Sequence, residues 1–250
     1  AQQGTERASV VFDHVTFSYP GADEPVLQDI SFESHPGEMT AIIGRTGCGK
    51  SSVLKLVPRL YDTVVGHVYV DGIDVKKYKL EELRSLIGYI PQKNVLFSGD
   101  VASNLSFGDE ESTEEDWRRA AHIACADEFI EQKPGEDHAD IAQGGTNLSG
   151  GQRQRMAIAR AVVRQPEVYL FDDSFSALDM KTDRTLRERL RESIGDATMI
   201  VVAQRVSSII DADRILVMED GKLVGSGTHY ELLQSCQLYR EIAELQLGEE

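Results

Sequence analysis

The chain contains 250 residues, of which 41% are hydrophobic and 27% are charged, and its net charge is −16 at pH 7. This length fits one large domain or two small ones with a substantial core. The negative charge disfavours general binding to a nucleic-acid backbone. No apolar run approaches the ~20 residues of a membrane-spanning helix, and residues 1–7 lack the apolar core of a signal peptide. We therefore expect any membrane anchor to lie in another segment or another chain.

Alternating and uninterrupted apolar runs predict two kinds of β-sheet. Residues 10–19 are rich in β-branched and aromatic side chains, which favours a strand. Asp71-Gly72 and Asp220-Gly221, each between apolar residues, predict two β-hairpins. Three uninterrupted runs predict strands covered on both faces of a parallel sheet. These runs are residues 40–43, 168–171 and 199–203.

Residues 95–145 have mostly helical character, and we predict a helical subdomain over about residues 95–150. Ser112 and Glu115 have the spacing of a capping box. After them, Trp117 and three alanines fall on one helical face, which we expect to be core rather than a ligand site. The three cysteines, at positions 48, 125 and 236, lack Cys-x-x-Cys spacing, so a reducing compartment is the simple interpretation.

Residues 44–51 match the phosphate-binding pattern Gly-x-x-x-x-Gly-Lys-Ser/Thr at every fixed position. They follow a predicted strand and precede a predicted helix, which is the context of a P-loop. Glycines let backbone amides approach phosphate oxygens, and the helix start carries partial positive charge. We expect Lys50 to bridge the β- and γ-phosphates of ATP and the Ser51 hydroxyl to bind Mg²⁺. The predicted phosphate-binding residues are Gly44, Arg45, Thr46, Gly47, Cys48, Gly49, Lys50, Ser51 and Ser52.

The apolar run at residues 168–171 ends in two carboxylates. Asp172 follows the strand directly, as in a Walker B motif, and is expected to hold the Mg²⁺ shell. Asp173 follows where a general base or a water-positioning group would act. The P-loop and this strand together predict a nucleotide-hydrolysing fold.

Residues 148–155, Leu-Ser-Gly-Gly-Gln-Arg-Gln-Arg, resemble the signature motif of ATP-binding-cassette (ABC) transporters. Other motifs resemble those of the family in order: Tyr19 resembles the aromatic that stacks on adenine, and residues 176–179 resemble the D-loop. Gln92 resembles the Q-loop glutamine, which reaches Mg²⁺ and faces the membrane domain. The resemblance covers about residues 9–245. It implies an α/β fold of the P-loop NTPase, ABC ATPase type, with a RecA-like parallel sheet core, an antiparallel β-subdomain and a helical subdomain.

The signature also has a physical interpretation of its own. Ser149 and Gln152 have capping-box spacing, and Gly150 and Gly151 leave the amides at the helix start open, as in an anion site. The alternative is a well-capped helix and nothing more. The family resemblance implies that these four residues bind the γ-phosphate of ATP held by a second domain. Two such domains then meet head to tail around two ATP molecules.

Residues 143–147 resemble the X-loop of ABC exporters, and residues 103–108 also follow the exporter pattern. In exporters this domain is usually fused behind a transmembrane domain, which this chain does not contain. The resemblance therefore implies one nucleotide-binding domain over residues 1–250 at the cytoplasmic face of a membrane. Its partners would be a second nucleotide-binding domain and a transmembrane domain at the Q-loop region, with no nucleic acid.

Three positions depart from the family pattern: Asp173 replaces glutamate, Gln204 replaces the switch histidine, and Gln143 replaces the X-loop glutamate. Aspartate is one methylene shorter, and a displacement of about 1 Å can lower a rate by about 10²-fold. Gln204 can bond a γ-phosphate but cannot exchange a proton near neutral pH. The changes resemble the degenerate half of a heterodimeric exporter, which binds ATP and hydrolyses it slowly.

Other functions remain open from the sequence. One is a competent homodimeric exporter domain in which Asp173 works as the base, and another is an ABC-type ATP sensor without transport. Soluble ABC proteins of DNA repair, chromosome structure or translation are disfavoured, because the chain has no room for coiled-coil arms and carries a single acidic cassette.

Overall fold

The structure, a computed structural model, describes residues 9–248 as alternating strands and helices. The expectations for residues 1–7, and the ends of the predicted domain, lie outside the described residues. The strands are β1 (Val10–Phe17), β2 (Leu27–Ser34), β3 (Met39–Gly44), β4 (Val65–Val70), β5 (Ile73–Asp74), β6 (Ile87–Ile90), β7 (Gly99–Asp100), β8 (Asp140–Ile141), β9 (Val168–Asp172), β10 (Thr198–Val202), β11 (Arg214–Glu219) and β12 (Lys222–Gly227). The helices are α1 (Lys50–Leu56), α2 (Leu80–Ser85), α3 (Val101–Ser106), α4 (Glu114–Ile123), α5 (Asp127–Glu131), α6 (Gly150–Val163), α7 (Met180–Ser193), α8 (His229–Ser235) and α9 (Gln237–Leu247).

These elements form two compact units. Among the described residues, the first unit comprises residues 9–87, 167–173 and 196–248. The second unit comprises residues 88–166 and 174–195. Within residues 9–248, no helix is both long and apolar enough to cross a bilayer. All three cysteines are buried and free of disulfides.

The first unit contains an antiparallel sheet in the strand order β2-β1-β4-β5. β1 confirms the strand predicted from residues 10–19, and Phe12 and Phe32, paired across β1 and β2, stack with their ring centroids 4.6 Å apart. Asp71 and Gly72 both have positive φ, at 52° and 72°, and connect β4 to β5 as the predicted hairpin. Mirror-image turns of this kind match the twist of the strands they join.

A second sheet of the first unit holds β12, β11, β3, β10 and β9 side by side in that order. The three uninterrupted apolar runs form β3, β9 and β10, which pair in parallel, so that prediction is confirmed. Val202 at the end of β10 pairs with both Ile42 and Asp172. The carboxyl ends of these strands therefore lie along one edge of the sheet, where open α/β folds bind ligands.

The second unit contains α3 to α7 and the short β7–β8 pair. Its predicted capping box at Ser112 and Glu115 is wrong by one residue. Thr113 is extended and caps α4, where its backbone N–H donates to Asp116 Oδ2 at 3.0 Å. Ser112 precedes this cap, and its Oγ instead accepts a hydrogen bond from Trp117 Nε1 at 2.9 Å.

Candidate nucleotide site

The loop between β3 and α1 carries the P-loop sequence in the first unit. Gly49 caps α1 with φ of 101°, and a Cβ there would lie 2.9 Å from Leu27 Cδ2 and 3.0 Å from the Val26 carbonyl oxygen. The position therefore favours glycine on both conformational and steric grounds. Arg45, Thr46 and Gly47 are exposed along the loop, whereas Cys48 is buried. The middle of the motif is therefore exposed to solvent.

Lys50 folds back across this loop. Its side-chain Nζ donates to the carbonyl oxygens of Gly44 at 2.8 Å and Arg45 at 2.9 Å, although the residue is only 9% exposed. Both acceptors are neutral, so they orient the ammonium group without neutralising it. A buried, oriented positive charge under a loop whose middle residues are exposed suits a phosphate chain.

Ser51 and Asp172 form the candidate metal site. The Ser51 hydroxyl donates to Asp172 Oδ1 at 2.7 Å, and Asp172 is 4% exposed at the end of β9. A hydroxyl and a carboxylate side by side are the hard oxygen ligands that Mg²⁺ takes beside phosphate oxygens. The residues therefore fit the metal. Gln92 lies exposed in the second unit, and its predicted contact with Mg²⁺ stays a prediction.

Asp173 and Gln204 contact each other directly. Asp173 has φ of 50° and is 7% exposed, and its backbone N–H donates to the Val202 carbonyl at 2.9 Å. Its side-chain Oδ2 accepts a hydrogen bond from Gln204 Nε2 at 3.0 Å. Because β9 and β10 are adjacent and parallel, the residues just beyond their ends meet. The two departures from the family pattern are thus one structural feature, which sequence analysis treated as two.

Tyr19 belongs to a small aromatic group of the first unit, which it forms with Phe17 and Tyr61. Its hydroxyl lies 2.9 Å from Ser52 Oγ, and its ring makes edge contacts with Phe17 at 4.8 Å and Tyr61 at 5.0 Å between centroids. Lys55 Nζ lies 3.5 Å from the same hydroxyl. A tyrosine ring held in this way suits stacking on a purine. Sequence analysis missed Tyr61, whose place beside Tyr19 depends on the fold.

The signature residues form a separate cluster at the start of α6 in the second unit. Ser149 Oγ accepts from the Gln152 N–H at 3.2 Å, and Gln152 Oε1 accepts from the Ser149 N–H at 3.0 Å, which confirms the predicted capping box. A Cβ at Gly150 would meet nothing within 4 Å, so this helix start is open. A Cβ at Gly151 would lie 3.2 Å from the Ala177 carbonyl oxygen of the D-loop.

The D-loop ends in a strongly bonded carboxylate. Asp179 caps α7 through Oδ1, which accepts from the Thr182 N–H at 3.0 Å, and through Oδ2, which accepts from the Thr182 hydroxyl at 2.7 Å. These hydrogen bonds lower the pKa of Asp179. The carboxylate therefore stays charged and holds the D-loop against the start of α7.

Comparison with known proteins agrees with this arrangement. The family described as "ABC transporter" matches residues 27–176, which include the P-loop, the signature motif, Asp172 and Asp173. The chain belongs to the ABC transporter family. The P-loop NTPase fold of ABC ATPase type, with its parallel core and antiparallel sheet, is thereby confirmed.

Several relatives within the family span nearly all of this chain. An ABC transporter ATP-binding protein of Mycobacterium tuberculosis is 53% identical over 234 residues, which is 92% of this chain and 40% of the relative. An ATP-dependent lipid A-core flippase of Xanthomonas oryzae pv. oryzae is 41% identical over 96% of this chain and 41% of the relative. A bacterial Atm1-family ABC exporter, solved with ATP bound, has a TM-score of 0.93 at 36% identity and matches 97% of this chain and 42% of the exporter. The chain thus spans about two fifths of the length of these relatives.

One contact of this ABC site lies outside every motif that the sequence analysis used. Gln246, on α9, bonds the backbone at Gln204 and Val206. The sequence holds a weak signal for it, because Gln246 follows the buried Tyr239 and Ala243 at helical spacing. A polar side chain on the apolar face of a helix indicates a specific partner.

Proposed function

We propose that this chain is the nucleotide-binding domain of an exporter-type ABC transporter, and that its own site binds Mg·ATP and hydrolyses it slowly. The observation that carries the proposal is the hydrogen bond between Gln204 and Asp173 beside the P-loop strand. The domain would then be the degenerate half of a heterodimer, at the cytoplasmic face of a membrane.

ATP binding rests on groups of the first unit that are already oriented. Lys50 offers an ammonium group held by two loop carbonyls, and Ser51 with Asp172 offers the Mg²⁺ ligands. Tyr19 offers a ring for the adenine. The bound metal would neutralise developing charge on the phosphates, while these residues hold them in place.

Slow hydrolysis follows from the pair at the ends of β9 and β10. Asp173 is shorter than the usual glutamate, and one of its oxygens already accepts the Gln204 amide proton. Its left-handed backbone and its N–H bond to Val202 fix where the short carboxylate starts. Gln204 remains neutral across the physiological pH range, so it cannot supply the charge or the proton that a histidine could.

The signature supports a role toward a second nucleotide-binding domain. Ser149 and Gly150 are exposed at an open helix start, and the capping box fixes the geometry of that start. We infer that this cluster, with Gly151 and Gln152, completes the ATP site of a non-identical partner. In that case the partner's site hydrolyses ATP, and this chain's own site mainly holds it.

The Q-loop region supports docking of a transmembrane domain. Phe97 and Phe107 are exposed, with ring centroids 4.3 Å apart, and the exposed Val95 belongs to the same segment. The Arg160 guanidinium lies 5.2 Å from the Phe97 ring and bonds the Val95 carbonyl at 3.1 Å, so the patch rests on a fixed support. An exposed apolar surface that begins three residues after Gln92 in the sequence suits a short apolar segment of a partner.

The test compares ATP turnover of the chain with that of a double variant, Asp173→Glu with Gln204→His. Asp196→Glu with Gln234→His makes the same chemical changes at exposed positions and serves as the control. We expect the first variant to turn over on the order of 10²-fold faster, with the nucleotide Kd nearly unchanged, and the control to match the native chain. If the native chain already matches the double variant, the slow-site proposal is wrong and the competent homodimer is favoured. If the chain purified from its source carries no integral membrane protein, the transport role is wrong and an ATP sensor is favoured.

A further inference from the structure

The Gln246 side chain, on the last helix of the first unit, bonds the backbone of residues 204–206, which follow β10 and are called the switch segment below. Gln246 Oε1 accepts a hydrogen bond from the Val206 N–H at 2.7 Å. Its Nε2 donates to the Gln204 carbonyl oxygen, also at 2.7 Å. One glutamine side chain thus bonds the backbone on both sides of Arg205.

This backbone lies beyond the last strand hydrogen bond that could hold it. β10 ends at Val202, and the Ala203 N–H donates to the Ile42 carbonyl at 3.1 Å. Three residues after Ala203 the chain enters a short 3₁₀ turn at Val206–Ser208. Gln204 lies between these supports, and its carbonyl is fixed by the amide of Gln246. The direction in which the Gln204 side chain leaves the backbone therefore depends on that contact.

α9 is itself well anchored. Tyr239 and Ala243 are buried on the face that also carries Gln246. From the same helix, Glu241 lies 3.8 Å from the Arg45 guanidinium of the P-loop. A single helix therefore contacts both the P-loop and the switch segment, which makes it a suitable support for their relative position.

We propose that Gln246 is a positioning residue, which fixes the Gln204 backbone and thereby aims the Gln204 amide at the Asp173 carboxylate. Asp173 and Gln204 act on the nucleotide, and Gln246 acts only through them. The inference rests on the proposed function for its effect on turnover. Its effect on the Gln204–Asp173 contact does not need ATP hydrolysis at all.

The experiment uses three variants of the chain. Gln246→Ala removes both hydrogen bonds. Gln246→Glu keeps the acceptor for the Val206 N–H but loses the donor to the Gln204 carbonyl. Gln234→Ala makes the same deletion at an exposed position of α8 and is the matched control.

Three measurements follow the contact from the backbone to the chemistry. Hydrogen exchange reports the Val206 amide, and NMR reports the Gln204 side-chain amide, assigned by its loss in Gln204→Ala. Steady-state ATP turnover then gives kcat and KM. For Gln246→Ala we expect Val206 exchange to rise on the order of tenfold and kcat to change on the order of fivefold or more, with KM changing less than about twofold. For Gln246→Glu we expect Val206 protection to persist while the Gln204 resonance shifts and kcat changes.

Several outcomes would overturn the proposal. If Gln246→Ala exposes Val206 but leaves the Gln204 resonance unchanged, the contact is a structural anchor only. If Gln246→Ala fails to fold, the test rests on Gln246→Glu. An unshifted Gln204 side-chain resonance in that variant would contradict the proposal. Gln246→Ala should also have no further effect on kcat in a Gln204→Ala background, and additivity of the two changes would contradict positioning through Gln204. If the Asp173→Glu, Gln204→His double variant turns over no faster than the native chain, the slow-site proposal is wrong. The exchange and NMR results on Gln246 do not depend on that outcome.

Discussion

Gln204 Nε2 donates a hydrogen bond to Asp173 Oδ2 across 3.0 Å, and this contact joins two of the three positions that the sequence analysis identified as departures from the family pattern. The two residues follow the paired ends of β10 and β9, so neither can change without altering the surroundings of the other. Asp173→Glu alone would extend the carboxylate into the space that the Gln204 amide occupies. Gln204→His alone would leave the carboxylate too short.

We therefore expect the two substitutions to be strongly non-additive. Each single variant should give less than about a third of the logarithmic gain in kcat that the double variant gives, which corresponds to a coupling energy of about 1 kcal/mol or more. A double-mutant cycle on kcat measures this directly. Additive effects of the two substitutions would show that the pair does not act as a unit.

The Asp173 carboxylate should carry the residual ATP turnover of the chain. Asp173→Asn keeps the size and the left-handed backbone, which asparagine tolerates, but removes the charge. We expect kcat to fall by at least about tenfold, while the Kd for Mg·ATP changes less than about threefold. Asp220→Asn is the matched control, because Asp220 also has positive φ and lies exposed in a hairpin turn. Unchanged turnover in Asp173→Asn would mean that another group activates the water.

Ser51 and Ser52 are adjacent but should have separable roles. Ser51→Ala removes the hydroxyl that bonds Asp172, so we expect affinity for Mg²⁺ in the nucleotide complex to fall by about 10- to 100-fold. Ser52→Ala removes the partner of the Tyr19 hydroxyl and should leave the metal dependence intact. Calorimetric titration with ATP, with and without Mg²⁺, compares the two. Equal metal dependence in both variants would contradict the assignment of Ser51.

The fold and the motif residues could be predicted because their signals are local. The P-loop pattern, the apolar strand before Asp172 and the Ser149–Gln152 capping box each lie within a few consecutive residues, and the structure places each of them as expected. The Asp173–Gln204 contact could not be predicted, since it depends on which parallel strands are neighbours. Gln246 was missed for the same reason: its partners lie 40 and 42 residues away in sequence. The capping-box error at Ser112 shows the limit of spacing rules, because two adjacent hydroxyl residues satisfy them almost equally.

The His229–Tyr239 pair should make the stability of the first unit sensitive to acid. His229 Nδ1 lies 2.8 Å from the Tyr239 hydroxyl, and both residues are buried. Burial lowers the pKa of His229, against a smaller opposing effect of Asp211, and burial raises the pKa of Tyr239 to about 12. The folded state disfavours the protonated imidazole. Below about pH 6.5, the ordinary pKa of histidine in an unfolded chain, the unfolded state therefore binds more protons than the folded state. The stabilisation is therefore complete above that pH and is lost as the pH falls towards the lower folded pKa.

Urea unfolding of the chain and of His229→Gln measures this contribution. The pH range is about 7.5 to 5, which brackets an ordinary histidine pKa. We expect the free-energy difference between the two proteins to shrink on acidification, by at most about 1.4 kcal/mol per pH unit for a single proton. His14→Gln is the control with the opposite sign, because the hydrogen bond to Asp29 raises the pKa of the exposed His14. Any stabilisation from that pair is present at low pH and is lost as the pH rises. A native-minus-variant difference that stays constant for His229→Gln across this range would show that the imidazole does not titrate differently on folding.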